Sequence, residues 1–246
     1  MSEGPVVEFC HVSKRFGRRN ILCDVSFQVG NGEALCILGR SGVGKSVTLK
    51  LIIGLLKPDM GDVFIESESI VQFNEEDLTR VRRKMGFLFQ SAALFDSFSV
   101  ANNLALPLQR LEKNKSADEI KRRVDEALQQ VGLASDKEKM PVELSGGMRK
   151  RAGLARALVL NPRILLIDEP SSGLDPITAS EIDDLLLKIK QERHTTMIIV
   201  THDVRGARRV ADKVAVLDEG ALVGFGSFAD LEHNENDTVC KLLSES

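Results

Sequence analysis

Three glycines, a lysine and a serine between an apolar run and a helix-like segment constrain this chain more than any other feature. Residues 34–38 read Ala-Leu-Cys-Ile-Leu, an unbroken apolar run that suits a strand buried on both faces. Residues 45–56 predict a helix. The segment between them, with Lys45 and Ser46, is Gly39, Arg40, Ser41, Gly42, Val43, Gly44, Lys45, Ser46, which fits GxxxxGK[ST]. Glycine lets backbone N–H groups turn inward around a phosphate, and the helix N-terminus adds a favourable dipole. Lys45 is placed to reach the β- and γ-phosphates, and the Ser46 hydroxyl to ligate Mg²⁺. A dinucleotide fingerprint fails, because Val47 stands where GxGxxG needs its last glycine. The nucleotide expected over residues Gly39 to Val47 is a triphosphate.

A second constellation lies far along the chain. Residues 164–169 read Ile-Leu-Leu-Ile-Asp-Glu: the apolar run buries a strand, and Asp168 emerges at its end near the magnesium. Glu169 is then placed to polarise the attacking water, work that a well-positioned base performs with a gain of about 10²–10⁴ in rate. Further apolar runs at residues 197–201 and 214–218 also end in polar residues. Nearer the amino end, Val25, Phe27 and Val29 alternate with Ser26 and Gln28, residues 30–32 supply a turn, and residues 63–70 predict another strand. Strands alternating with helices imply an α/β fold with a mostly parallel sheet and its chemistry at the carboxyl ends of the strands. Residues 91–160 differ: they are rich in helix formers, with a charged segment over 113–130 and a helix after Gly147. The expected organisation is a core from residues 1–90 and 161–246 with a helical lobe, 91–160, inserted into it.

Composition limits the partners. At 246 residues, with 43% hydrophobic and 28% charged residues, the chain can bury a sizeable core. The net charge of −3 gives no global pull toward nucleic acid or acidic lipid, so any anion site is local. Cys10, Cys23, Cys36 and Cys240 form no CxxC pair, and most sit in apolar, strand-like text, as expected of free thiols in a reducing compartment. The opening Met-Ser-Glu-Gly-Pro does not predict a signal peptide, and no apolar run approaches the length of a membrane span. The basic clusters at residues 82–84, 121–123 and 149–151 are expected on solvated faces, the last also placed to support the phosphate end of its helix.

Leu144-Ser145-Gly146-Gly147-Met148, shortly before the Asp168-Glu169 strand, brings a resemblance to the ABC-type ATPases. In that family an LSGGQ signature from one subunit closes on the γ-phosphate held by the other. Ser145, Gly146 and Gly147 offer a hydroxyl and open N–H groups at a helix start. Met148 departs from the usual glutamine, which removes that side-chain hydrogen bond but not the backbone anion site. By the same resemblance, Gln90 is the glutamine that contacts Mg²⁺ and links core to lobe. Asp175, in Ser-Gly-Leu-Asp, belongs to the loop at the dimer seam, and His202 is the switch that senses the γ-phosphate. Phe16 takes the place of the aromatic that stacks on adenine. The resemblance implies a P-loop cassette: a mostly parallel core sheet, an antiparallel β subdomain and a helical lobe, with catalysis resting on Glu169, His202 and Lys45. ATP and Mg²⁺ are its ligands; a second copy and an integral membrane permease are its partners.

Residues 91–107, the Met148-Arg-Lys-Arg sequence and Val47 resemble, more specifically, the Mla phospholipid-transport ATPases associated with Mce-type systems. That likeness implies an Mce-domain partner, a place on the cytoplasmic face of the inner membrane held through the permease, and a permease contact around Leu94, Phe95 and Asp96. Other readings are the ATPase of a different transporter or of a non-transport cell-division complex. A switch GTPase is excluded, since residues 114–117, Asn-Lys-Ser-Ala, lack the aspartate of NKxD.

Overall fold

The structure is a computed structural model that describes residues 4–244. Met1, Ser2 and Glu3, read above for a targeting segment, and Glu245 and Ser246 of the tail lie outside the described residues. The chain runs through β1 (Val7–Phe16), β2 (Arg19–Val29), β3 (Ala34–Leu38), α1 (Lys45–Ile52), β4 (Met60–Ile65), β5 (Glu68–Ser69), α2 (Glu75–Arg82) and β6 (Met85–Leu88). Helices α3 (Val100–Leu111), α4 (Ala117–Gln130) and α5 (Gly146–Leu158) follow, with short 3₁₀ turns at Ala134–Asp136 and Pro141–Glu143. Then come β7 (Ile164–Asp168), α6 (Pro176–Arg193), β8 (Thr196–Thr201), α7 (Val204–Val210), β9 (Lys213–Asp218), β10 (Ala221–Gly226), α8 (Phe228–Leu231) and α9 (Asp237–Ser244).

Two sheets result. A six-stranded sheet has the order β10-β9-β3-β8-β7-β6, parallel except where β10 turns back on β9. A four-stranded antiparallel sheet has the order β2-β1-β4-β5. The period-two geometry of a strand sends successive side chains to opposite faces, and the parallel strands use both. Cys36, Ile167, Ile199 and Val216 enter one apolar core; Ile37, Leu166, Val200 and Leu217 enter the other. The first core packs against α3 to α7. The second is shared with α1 and the antiparallel sheet. This two-sided covering explains why the strand runs are apolar without alternation, whereas Val25, Phe27 and Val29 alternate on a sheet with one wet face.

Four expectations need correction. The helix from Lys45 stops at Ile52 rather than 56, because Gly54 takes φ +69° and Arg82 donates to the carbonyls of Ile53 and Gly54. The strand expected over 63–70 begins at Met60 and breaks at Glu66 and Ser67, both with positive φ, to make the β4–β5 hairpin. Cys10, Cys23 and Cys36 are free thiols on strands, as expected, but the apolar surroundings hold only for Cys36, which is buried; Cys10 and Cys240 are exposed. The basic clusters are not uniformly solvated: Lys150 is buried, and Arg123 and Arg151 donate to the carbonyls of Val159 and Val131.

One buried acid has a measurable consequence. Asp183 on α6 faces Asp203 at the start of α7, with Gly206 between them. A Cβ on Gly206 would meet oxygens of both carboxylates at 2.9 Å. Burial first, then the Asp203 charge, pushes the Asp183 carboxyl up to about 6. The Cys36 thiol beside it is pushed up to about 12, again chiefly by burial. A carboxyl that binds its proton more tightly in the folded state loses stability as pH rises through the folded value. The Asp183→Asn protein is therefore expected to melt above the parent at pH 8, the gap closing as pH falls below about 6. Thermal melts across pH check this; a less stable Asn variant at pH 8 would show that the ionised carboxylate is needed.

Candidate functional site

In the sheet order β3-β8-β7 the segments that follow these three strands must meet at one edge. The loop after β3 carries residues 39–44, β7 ends in Asp168 and leads into Glu169, and β8 leads into His202. The Ser46 hydroxyl donates to Asp168 Oδ1 at 2.9 Å. Lys45 Nζ donates to the carbonyls of Gly39 and Arg40 at 2.7 and 3.2 Å and stands 3.5 Å from Glu169 Oε1. The other Glu169 oxygen lies 2.8 Å from His202 Nδ1. Glu169 thus joins the loop lysine to the histidine, beside the Ser46–Asp168 pair.

Backbone conformation makes this possible. Gly39, Gly42 and Gly44 have φ of +152°, +82° and +112°. Gly44 caps α1 and supplies no side-chain acceptor to its first-turn N–H groups. A cavity over the loop is lined by Ser41, Gly42, Gly44, Lys45, Ser46, Val47, Gln90 and Glu169, with Ile21 from β2. Arg19 reaches the same loop, donating to the Gly42 carbonyl at 3.4 Å. Glu169 has φ +49°, a conformation that costs a non-glycine residue about 1–2 kcal/mol. Its N–H is held by the Val200 carbonyl at 2.9 Å.

The acids suit a magnesium site. Burial pushes the Asp168 carboxyl up from its ordinary value, and the Ser46 hydrogen bond pulls it back. The two side chains offer adjacent hard oxygens, a set that fits Mg²⁺, which takes its other ligands from water and phosphate. Among the described residues no three His, Cys, Asp or Glu side chains cluster as a metal cage of their own.

The other expected residues lie apart. Ser145 caps α5, accepting from the Met148 N–H at 3.2 Å, and Met148 packs against the apolar core. A Cβ on Gly147 would stand 2.4 Å from Thr178 Cγ2, and one on Gly146 3.3 Å from Leu174, so α5 begins against the start of α6. There Asp175 caps α6, accepting from the N–H groups of Ile177 and Thr178 at 3.1 Å each. Ser145, Gly146, Gly147, Met148 and Asp175 do not line the cavity over the loop. Neither does Phe16, which is 49% exposed at the β1–β2 tip with the Lys14 ammonium 5.6 Å from its ring. Leu94 packs on the core, while Phe95 is half exposed and 5.8 Å from the Phe98 ring.

Two residues in this region were not anticipated. Asn103, fully buried on α3, accepts from the Phe95 N–H and donates to the carbonyls of Phe95, Phe98 and Ser99, fixing the Phe95–Phe98 loop. Lys150, read as one of a solvated trio, instead donates to the carbonyls of Gln90 and Glu169. Burial pushes its ammonium down from the ordinary lysine value. Helical spacing could have found it: Gly147, Lys150, Gly153, Leu154 and Ala157 fall on one face, all buried.

A family model described as ABC transporter matches residues 22–172. The chain belongs to the ABC transporter family. It is 45% identical over 244 residues to the probable ribonucleotide transport ATP-binding protein mkl of Mycobacterium leprae, covering 99% of this chain and 70% of that protein. It is 40% identical over 245 residues to the methionine import ATP-binding protein MetN 1 of Pseudomonas fluorescens, covering 98% of this chain and 73% of the relative. Among solved structures it resembles the dimeric post-hydrolysis state of the ATP-binding cassette MJ0796 bound to ADP and Pi. The TM-score is 0.83 at 33% identity, over 90% of this chain and 98% of that one. This ABC protein is an ATPase subunit of a transport complex and works with ATP and Mg²⁺. The expected cassette fold is the observed one. Among the described residues no helix is long and apolar enough to cross a membrane.

Proposed function

We propose that two copies of this ATPase close on two ATP molecules and drive a separate membrane permease that moves phospholipid between membranes. The carrying observation is the Glu169 carboxylate, set between Lys45 and His202 and next to the Ser46–Asp168 pair. Residues 39–47 hold the phosphates through their N–H groups and Lys45. Ser46, Asp168 and Gln90 hold Mg²⁺, which when bound neutralises charge on the phosphates. Glu169 takes the proton of the attacking water, and His202 keeps that carboxylate turned toward the γ-phosphate. Phe16 stacks on adenine. Ser145, Gly146, Gly147 and Asp175 serve the nucleotide of the second copy, a role supported by their lying away from the loop of their own chain. The core is residues 1–90 and 161–246, and the helical lobe residues 91–160.

The lobe meets the permease through Leu94, Phe95 and Asp96, with Phe95 presented at a loop that Asn103 holds in shape. In this reading the protein works in the cytoplasm, on the inner membrane by way of the permease, with an Mce-domain protein as further partner. The phospholipid cargo rests on the likeness of residues 91–107 and 148–151 to the Mla ATPases. The names of the mycobacterial and Pseudomonas relatives favour a second reading, in which the cargo is a small solute such as a ribonucleotide or methionine.

Purification with its membrane partner separates the two. The complex is expected to carry phospholipid extractable by solvent, and its ATPase rate to rise in phospholipid vesicles but not with methionine or ribonucleotide. Stimulation by either solute, with no co-purified lipid, would replace the lipid reading by the second one.

A further inference from the structure

Helix α5 opens with the Ser145 segment, and one face of it forms a seat for the backbone beside the nucleotide cavity. Lys150 Nζ donates to the Gln90 carbonyl at 2.5 Å and to the Glu169 carbonyl at 2.6 Å. Two turns along the helix, Arg156 donates to the carbonyls of Ala92 and Ala93 at 2.9 and 2.7 Å. Gly153, midway between them, lets the segment approach: a Cβ there would stand 2.9 Å from both Ala92 Cβ and Leu88 Cδ1. Ala92 and Ala93 have φ of +60° and +48°, so this stretch is bent against its own preference and needs outside partners to stay bent. Glu169 is in the same position at φ +49°. Its N–H is taken by Val200 and its carbonyl by Lys150.

Lys150 is 6% exposed, and the acceptors it meets are main-chain carbonyls rather than an ion-pair partner. An ammonium buried this way must be held by hydrogen bonds, and the same bonds restrain the atoms that accept them. Those atoms belong to the residue carrying the base and to the glutamine at the cavity wall. A rise of 1.5 Å per residue puts Lys150 about 6 Å along α5 from Gly146. Any displacement of the helix start is therefore felt at Glu169 and Gln90 through one side chain.

We propose that Lys150 is a positioning residue for hydrolysis: it fixes the Glu169 and Gln90 backbone and ties both to the helix that carries Ser145, Gly146 and Gly147. Because those residues serve the second nucleotide in the reading above, Lys150 links the two sites of the dimer from within one subunit. The inference rests on Glu169 as the base.

The experiment uses the full chain, assayed for ATP hydrolysis over a range of ATP concentrations. Lys150→Met keeps the unbranched stem of the side chain and removes its ammonium donors. Its kcat is expected to fall at least about tenfold, as a misplaced base requires. Its KM for ATP stays within about threefold, since the loop over residues 39–47 is untouched, and its Hill coefficient falls toward 1. Lys150→Arg, which again donates to carbonyls, is expected to recover most of kcat. If the Met variant does not fold, Lys150→Ala carries the same measurement, because it leaves space for water at the two carbonyls. A kcat near the parent's would overturn the proposal. So would parallel loss of kcat and ATP affinity, or an Arg variant no better than Met. Glu169→Gln run alongside separates the two ideas. If it abolishes hydrolysis while Lys150→Met does not, only the positioning role is lost; if it retains hydrolysis, the base itself is misassigned.

Discussion

Replacing Glu169 with glutamine is expected to lower kcat by about 10²–10⁴ while ATP binding persists and ATP-dependent dimers accumulate. The substitution changes little in shape. One carboxylate oxygen faces Lys45 Nζ at 3.5 Å and the other His202 Nδ1 at 2.8 Å, and an amide can keep both neighbours as hydrogen-bond partners. What it removes is the capacity to accept a proton from water. Loss of an interaction made only in the transition state lowers kcat with KM little changed. Steady-state hydrolysis and size-exclusion chromatography with and without MgATP measure both consequences. Hydrolysis near the parent rate, with no ATP-dependent dimer accumulating, would show that another group takes the proton. Lys45 and His202 would then act on the phosphate without passing through Glu169.

The parts of this site legible in the sequence are those whose chemistry is local. The loop over residues 39–46 is set by glycine spacing, and the structure gives Gly39, Gly42 and Gly44 the positive φ that spacing implies. The Ile164–Asp168 strand is written in a run of five residues that are all buried. The meeting of Ser46 with Asp168, 122 residues apart, follows once β3 and β7 are taken as parallel strands of one sheet, on either side of β8. Lys150 escaped because its acceptors are main-chain carbonyls, 60 and 19 residues away, and a carbonyl is the same in every residue. Asn103 escaped for the same reason, being a polar residue inside a helix with only backbone partners. The early end of α1 was readable: Gly54 stood two residues past Ile52, where a left-handed cap belongs. The β4–β5 turn was not, because Glu66 and Ser67 are residues that such a tight hairpin rarely uses.

Gly39→Ala is expected to damage both the fold and nucleotide binding, and Gly42→Ala much less of either. Both glycines have positive φ, at +152° and +82°, so strain of about 1–3 kcal/mol applies to each alanine. Their surroundings differ. A Cβ on Gly39 would stand 2.4 Å from the Leu217 carbonyl oxygen and 2.9 Å from Val43 Cγ2, whereas one on Gly42 meets only Arg19 Nη2, at 3.9 Å. Leu217 lies in β9, which pairs with β3, so its carbonyl cannot retreat without pulling the sheet apart. Overpacking of this kind adds about 1–3 kcal/mol, a large part of the roughly 5–15 kcal/mol that stabilises a domain. The loop itself must move to relieve the contact, and with it the N–H groups that surround the phosphates. Denaturant melts and ATP titration of the two variants measure the difference. Gly39→Ala should lose about 3 kcal/mol and bind ATP at least about tenfold more weakly, with Gly42→Ala near the parent in binding. Equal losses in the two proteins would mean that left-handed backbone alone, rather than the close passage of β9, is why position 39 holds glycine.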